Sequence, residues 1–168
     1  MDHQYQIEIT TQQSAVKVPF AKMKEFVAEV LKQEGVTQAE IDIVVVDNQE
    51  IHRVNQQFLQ HDYPTDVVTF PLSDDQNPLE GEIVLSAEYA QGEAEKYDWP
   101  VESEMLLYAV HGALHLVGYD DQDPESKTVM RKMEQKYLRH FGMEPPYAAG
   151  EIEDSFIAPN SESGESTS

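Results

Sequence analysis

No cysteine occurs among the 168 residues. A disulfide framework and a thiolate ligand are therefore both excluded, and any metal must be held by His, Asp, Glu or backbone oxygen. Positive charge is scarce: 11 Lys and Arg stand against 32 Asp and Glu, for a formal net charge of −21. That excludes the evenly basic surface on which nucleic-acid binders usually rely. Long apolar runs are missing too. The longest, MLLYAV (Met105 to Val110), is too short to span a bilayer, and the opening MDHQYQIEIT has neither a basic nor an apolar leader region. A soluble, cytoplasmic protein without membrane contact is expected, of a length that suits one domain with a substantial core.

The residues Phe20, Met23, Phe26, Val27, Val30 and Leu31 recur at the three-and-four spacing of an amphipathic helix, which Gly35 ends. IDIVVVD (Ile41 to Asp47) reads as a buried strand. Asp47 followed by Glu50 is a capping-box signature for a helix that turns Ile51, Val54 and Phe58 inward. PTDVVTFPL and GEIVLS are two more strands, separated by a polar loop from Ser73 to Glu80. Residues 87–97 read as a helix, and Pro100 opens another that Gly118 stops. Asp123 and Pro124 form an N-cap and first turn for a last helix. Its buried face is marked by Val129, Met130, Met133, Tyr137, Leu138 and Phe141, and Gly142 closes it.

From residue 151 the composition shifts to five acids, no bases and a SESGESTS end. The expected organisation is a folded domain of residues 1–150 followed by a disordered acidic tail, 151–168. Most of the negative charge stays on the domain, either as a solubilising surface or as one that repels nucleic acid.

The chemistry concentrates in HGALHLVGYDD, His111 to Asp121. Positions four apart on a helix differ by roughly 40° and about 6 Å, so His111 and His115 project from one face as a bidentate clamp. Gly118 can take the left-handed conformation that turns the chain back, which lets Asp121 face the pair as a third ligand. Asp120, Asp121 and Asp123 also precede a helix, where acids favour the N-terminus, although Asp123 suits the cap better. Metzincin proteases share the spacing but carry a glutamate base after the first histidine. Here that residue is Gly112, which accepts no proton. Three protein ligands that leave a position for water describe a hydrolytic metal site.

This stretch resembles the hallmark of the YbeY family of bacterial endoribonucleases, His-Gly-x-Leu-His-Leu-x-Gly-Tyr-Asp-His, and departs from it only at Asp121. VNQQFLQHDYPTDVVTFPL (Val54 to Leu72) and GEIVLS are similar to that family's upstream segment and strand, so the likeness runs over about residues 5–142. It implies an α+β fold: one compact domain, a small mixed β-sheet with packed helices and a zincin-like histidine helix at the centre. It also implies metal-dependent cleavage of single-stranded RNA in ribosomal RNA maturation and ribosome quality control. The implied metal is Zn2+ or another divalent ion, one per chain, and the implied partners are precursor ribosomal RNA and the small ribosomal subunit with its proteins, with no DNA.

Two departures qualify the resemblance. A carboxylate at Asp121 makes the donor set two imidazoles and one anion, a weaker Lewis-acid site that non-haem iron oxygenases also use. Leu59 stands where the family has an arginine that faces phosphate, and leucine can neither grip phosphate nor stabilise developing charge. His61 and Asp62 nearby are candidates for substrate contact or proton transfer, or simply a polar turn before Pro64. Thr65, Asp66 and Thr69 either border the cleft or serve strand entry. Arg131, Lys132, Lys136, Arg139 and His140 on the last helix, with Lys17, Lys22 and Lys24 near the first, form either a track for RNA phosphates or a solvated face with Glu134 interspersed. A non-catalytic ribosome-assembly factor is the alternative function, with a metalloprotease disfavoured by Gly112.

Overall fold

β2 (Gln38–Val46) alternates exposed and buried residues until Ile43, then ends in the buried pair Val45 and Val46. A strand reads this way when one face of the sheet is solvated along its first half and both faces are covered at its end. The computed structural model, which describes residues 4–59, 67–73 and 78–146, bears that out. β2 lies between β1 (Gln4–Thr11) and β4 (Leu79–Ser86), parallel to both, and β3 (Val67–Pro71) pairs antiparallel to β4 at the other edge, giving the order β1-β2-β4-β3. Ile7 sits opposite Ile41 and Thr69 opposite Ile83.

The fold is α+β, with a four-stranded mixed sheet and five helices among the described residues. α1 (Phe20–Gln33) and α4 (Val101–Leu116) cover one face together with Ile41, Ile43, Val45, Ile83 and Leu85. A smaller cluster on the opposite face joins Val46, Val68 and Val84 to Ile51 and Val54 of α2 (Asn48–Val54). α2 runs on into a π-helical turn, Asn55–Leu59. α3 (Ala87–Tyr97) and α5 (Pro124–His140) flank α4.

Twelve of the sixteen residues of α4 are buried, so it is a core helix, apolar on nearly every side. His111 is buried in it, and His115, in its last turn, is half-buried. No helix among the described residues is long and apolar enough to cross a membrane.

Capping follows the sequence. The Asp47 carboxylate accepts the Glu50 N–H at 2.9 Å, and the Asp123 carboxylate accepts the Ser126 N–H at 2.7 Å. Three features differ from expectation. β1 is a strand left unassigned above, although its Tyr5, Ile7 and Ile9 alternate with polar residues; at this sheet edge only Ile7 is fully buried. Phe20 and Val129, both expected inward, are 44% and 45% exposed. Glu134, grouped with the solvated charges of α5, is instead completely buried. The expected tail, 151–168, lies outside the described residues.

Candidate metal centre

α4 ends in a reversal built on Gly118. That residue has φ of +114°, and the Gly118 N–H donates to the His115 carbonyl while the Tyr119 N–H donates to the Leu114 carbonyl. This pair of bonds is a Schellman closure, which a side chain at Gly118 would strain. The reversed chain brings the Asp121 carboxylate over the last turn of the helix that carries the histidines.

The three donors converge. His111 Nε2 and His115 Nε2 lie 3.1 Å apart, and Asp121 Oδ2 is 3.5 Å from the first and 3.6 Å from the second. Ligand bonds of 2.0–2.1 Å in tetrahedral geometry imply donor separations of about 3.3 Å. The triangle brackets that value, so His111, His115 and Asp121 form a cluster that could hold a metal ion. Asp121 faces the histidines, and the capping role belongs to Asp123.

Each ring is oriented from behind. The His111 Nδ1–H donates to Glu134 Oε2 at 2.5 Å, and the His115 Nδ1–H donates to the Tyr119 carbonyl at 3.1 Å. With Nδ1 occupied, Nε2 is the atom each ring offers to a metal. Tyr119 is braced in turn, because its hydroxyl and that of Tyr137 donate to the two oxygens of Glu34 at 3.2 and 2.6 Å. Burial and the Glu34 charge push both phenols above their usual pKa.

Burial by itself would depress the His111 pKa. The hydrogen bonds and charges of Asp121 and Glu134 outweigh it and hold the imidazolium to about 10 when only protons compete for the ring. Asp121 shows the converse: burial would raise its pKa, but His111 and His115 hold it well below the carboxylate range. Glu134 is likewise lowered against its burial, by Arg131 and His111.

Gly112 has a packing reason as well as a chemical one. A Cβ built there would stand 2.9 Å from Ile83 Cγ2 on β4, so a side chain at this point would force Ile83 or the helix to shift. A glutamate here, as in a metzincin, would have to displace Ile83.

The basic residues of α5 do not converge on the cluster. Arg131 reaches inward and donates to Glu134 Oε1 at 2.8 Å. Lys132, Lys136 and Arg139 lie on the exposed side of α5, roughly opposite Glu134 at 100° per residue. Arg139 pairs with Glu144, and the Lys136 ammonium stands 5.0 Å from the Tyr137 ring centroid. Lys22 pairs with Glu102. Thr69 is half-buried on β3. His61, Asp62, Thr65 and Asp66 lie outside the described residues, as does the side chain of Leu59.

Sequence reasoning missed Glu134. The available signal was its position, four residues after Met130 and four before Leu138, where a charge lands on the apolar stripe.

The family model described as Endoribonuclease YbeY matches residues 8–142. The chain belongs to the YbeY family of endoribonucleases. Among its YbeY relatives, the Endoribonuclease YbeY of Rhodopirellula baltica is 42% identical over 130 residues, covering 73% of this chain and 67% of the relative. That of Chlorobium phaeovibrioides is 40% identical over 125 residues, covering 74% and 84%. The solution structure of TM1509 from Thermotoga maritima superposes with a TM-score of 0.60 at 28% identity, over 95% of this chain and 99% of that one. The span matched by the YbeY model contains the whole donor cluster and Glu134. It stops before the acidic segment at 151–168.

Proposed function

We propose that this chain is a metal-dependent endoribonuclease that cuts single-stranded RNA during ribosomal RNA maturation and ribosome quality control in the cytoplasm. The observation that carries this reading is the 3.1–3.6 Å triangle of His111 Nε2, His115 Nε2 and Asp121 Oδ2 inside the span matched to the YbeY family. Two imidazoles and a carboxylate, with no thiolate in the chain, suit Zn2+ or another divalent ion, one per chain. Such an ion supplies Lewis acidity and an acidified water for attack on a phosphodiester.

The protein's part is to hold both Nε2 donors and one anion toward a common point, with Glu134 and the Tyr119 carbonyl retaining the Nδ1 protons. His61 and Asp62 are the candidates for proton transfer or substrate contact. Residues 1–150 form the working domain, with 151–168 as an appended acidic tail.

An excess of 21 negative charges opposes free RNA at every approach except a local basic one. The proposed substrate is therefore precursor RNA within a small-subunit particle, whose proteins supply the affinity. A second reading, a metal-binding assembly factor that no longer cuts, is favoured by one specific arrangement. The Arg131 and Arg139 guanidiniums are engaged by Glu134 and Glu144, and Leu59 stands in the family's arginine position.

The deciding experiment is cleavage of a single-stranded RNA by zinc-loaded protein, with His115→Ala as the control for contaminating nuclease. Cleavage that disappears in the variant supports the nuclease. A folded, zinc-loaded chain that cuts neither naked RNA nor particles belongs to the second reading.

A further inference from the structure

Glu134 has no exposed surface, yet it lies on α5 between Met130 and Leu138, where an apolar side chain would pack. Acids are almost never fully buried unless paired, and a buried ion pair contributes little stability over an apolar isostere. Packing and fold stability therefore do not account for a carboxylate here. Its two oxygens are divided between two partners: Oε2 accepts the His111 Nδ1–H at 2.5 Å, and Oε1 accepts from Arg131 at 2.8 Å.

From this division we infer that Glu134 is the positioning residue of the metal centre, fixing the ring plane and tautomer of His111 so that Nε2 is its donor atom, with Arg131 holding the carboxylate in place. The inference rests on the metal reading proposed above. It accounts for an asymmetry between the two histidines, since His115 is backed only by the neutral Tyr119 carbonyl. A carboxylate behind an imidazole raises its basicity as a ligand. His111 is thus the stronger of the two donors and the anchor of the site, with His115 and Asp121 completing it.

Replacing Glu134 by Leu keeps the volume and packing but removes the acceptor, and replacing it by Gln keeps a neutral acceptor. Zinc affinity, measured by competition with a chromophoric chelator, is expected to fall about 10–100-fold in Glu134→Leu and by less in Glu134→Gln. The metal-free melting temperature of the Leu variant should fall, because Arg131 and the His111 imidazolium each lose a buried partner, so zinc affinity is read on folded protein well below that temperature. A merely structural carboxylate would be replaced by Leu without effect on zinc affinity, and that result overturns the inference.

Should the Leu variant fail to fold, nitrogen-15 spectra of the zinc-loaded parent chain decide. Zinc on His111 Nε2 with a protonated Nδ1 supports the assignment, and zinc on Nδ1 overturns it. A parent chain that binds no zinc removes the metal reading and this inference together. A parent that binds zinc beside a Leu variant that binds it equally well removes this inference alone.

Discussion

His111 and His115 present their Nε2 atoms to each other at 3.1 Å while their Nδ1 atoms point apart, one to a buried carboxylate and one to a main-chain carbonyl. Two imidazole lone pairs directed at one point, with the Asp121 carboxylate beside them, repel unless a cation or proton lies among them. Opposed donors held in place by a rigid core helix form a site prepared for a positive charge.

Removing that charge should cost stability. A divalent ion that binds the folded chain alone stabilises it by about 2.7 kcal/mol at a hundredfold excess over its Kd. For a domain of this size that corresponds to roughly 5–10 °C in Tm. Melting after chelation, and again after zinc is restored, checks this. An identical Tm in both states would mean that the cluster does not bind zinc.

The metal-free protein should also show a particular pH dependence. His111 has its folded pKa raised from 6.5 to about 10, so its contribution is fully present below pH 6.5 and is lost as pH rises toward 10. Asp121 has its folded pKa lowered, so its contribution is present above its ordinary value of 3.8 and is lost as pH falls below it. From this cluster the metal-free chain is most stable between about pH 4 and 6.5. A bound ion replaces the His111 proton, so the metal-loaded chain should keep its stability on the alkaline side. Urea titrations of both forms from pH 5 to 9 test the divergence, and parallel curves would count against it.

The third ligand is tested by substitution. Asp121→Ala removes one of three donors and should weaken zinc binding by at least tenfold, whereas Asp121→His keeps three donors and should bind as tightly as the parent or more so. Isothermal titration with zinc distinguishes them. A clear loss of affinity in Asp121→His would remove Asp121 from the ligand set.

Much of this site was legible because it is local. His111, His115, Gly118 and Asp121 fall within eleven residues, and helix periodicity with one glycine reversal suffices to place them on one another. Glu134 was not legible in that way. It meets His111 across 23 positions, and only the packing of α5 on α4 makes them neighbours. The same distinction explains the fold. α1 announces itself by apolar spacing, α4 by Pro100 before it and Gly118 after it, and α5 by spacing and its Asp123 cap, whereas β1 is an edge strand whose place depends on its pairing with β2. Charge on α5 stayed open for a related reason: sequence counts cations on a helix without saying which of them point at the site.

Gly112 gives a test of how closely α4 must approach the sheet. A methyl group there meets the Ile83 side chain at 2.9 Å, a distance relieved only if that side chain, the helix or the strand shifts. Gly112→Ala should destabilise by about 1–3 kcal/mol in urea denaturation. Ile83→Ala removes the atoms it meets, so the double variant should cost less than the sum of the two single ones. Strict additivity would show that the two residues do not press on each other.

The outward face of α5 bears on how an acidic chain finds RNA. Lys132 and Lys136 are exposed and turned from the donor cluster, so they cannot grip a phosphate that lies at His111, but they can meet RNA or protein of a particle alongside. Each phosphate of single-stranded RNA that a lysine no longer neutralises lowers the slope of log affinity against log salt by about 0.7. Lys132→Gln with Lys136→Gln should therefore weaken association with small-subunit particles and flatten its salt dependence by roughly 1.4. Cleavage of a short naked RNA, which reaches the cluster without touching this face, should change little. If the substitutions instead abolish cleavage of the short RNA and leave particle binding intact, the lysines touch substrate at the cluster, and the path of the RNA must cross α5.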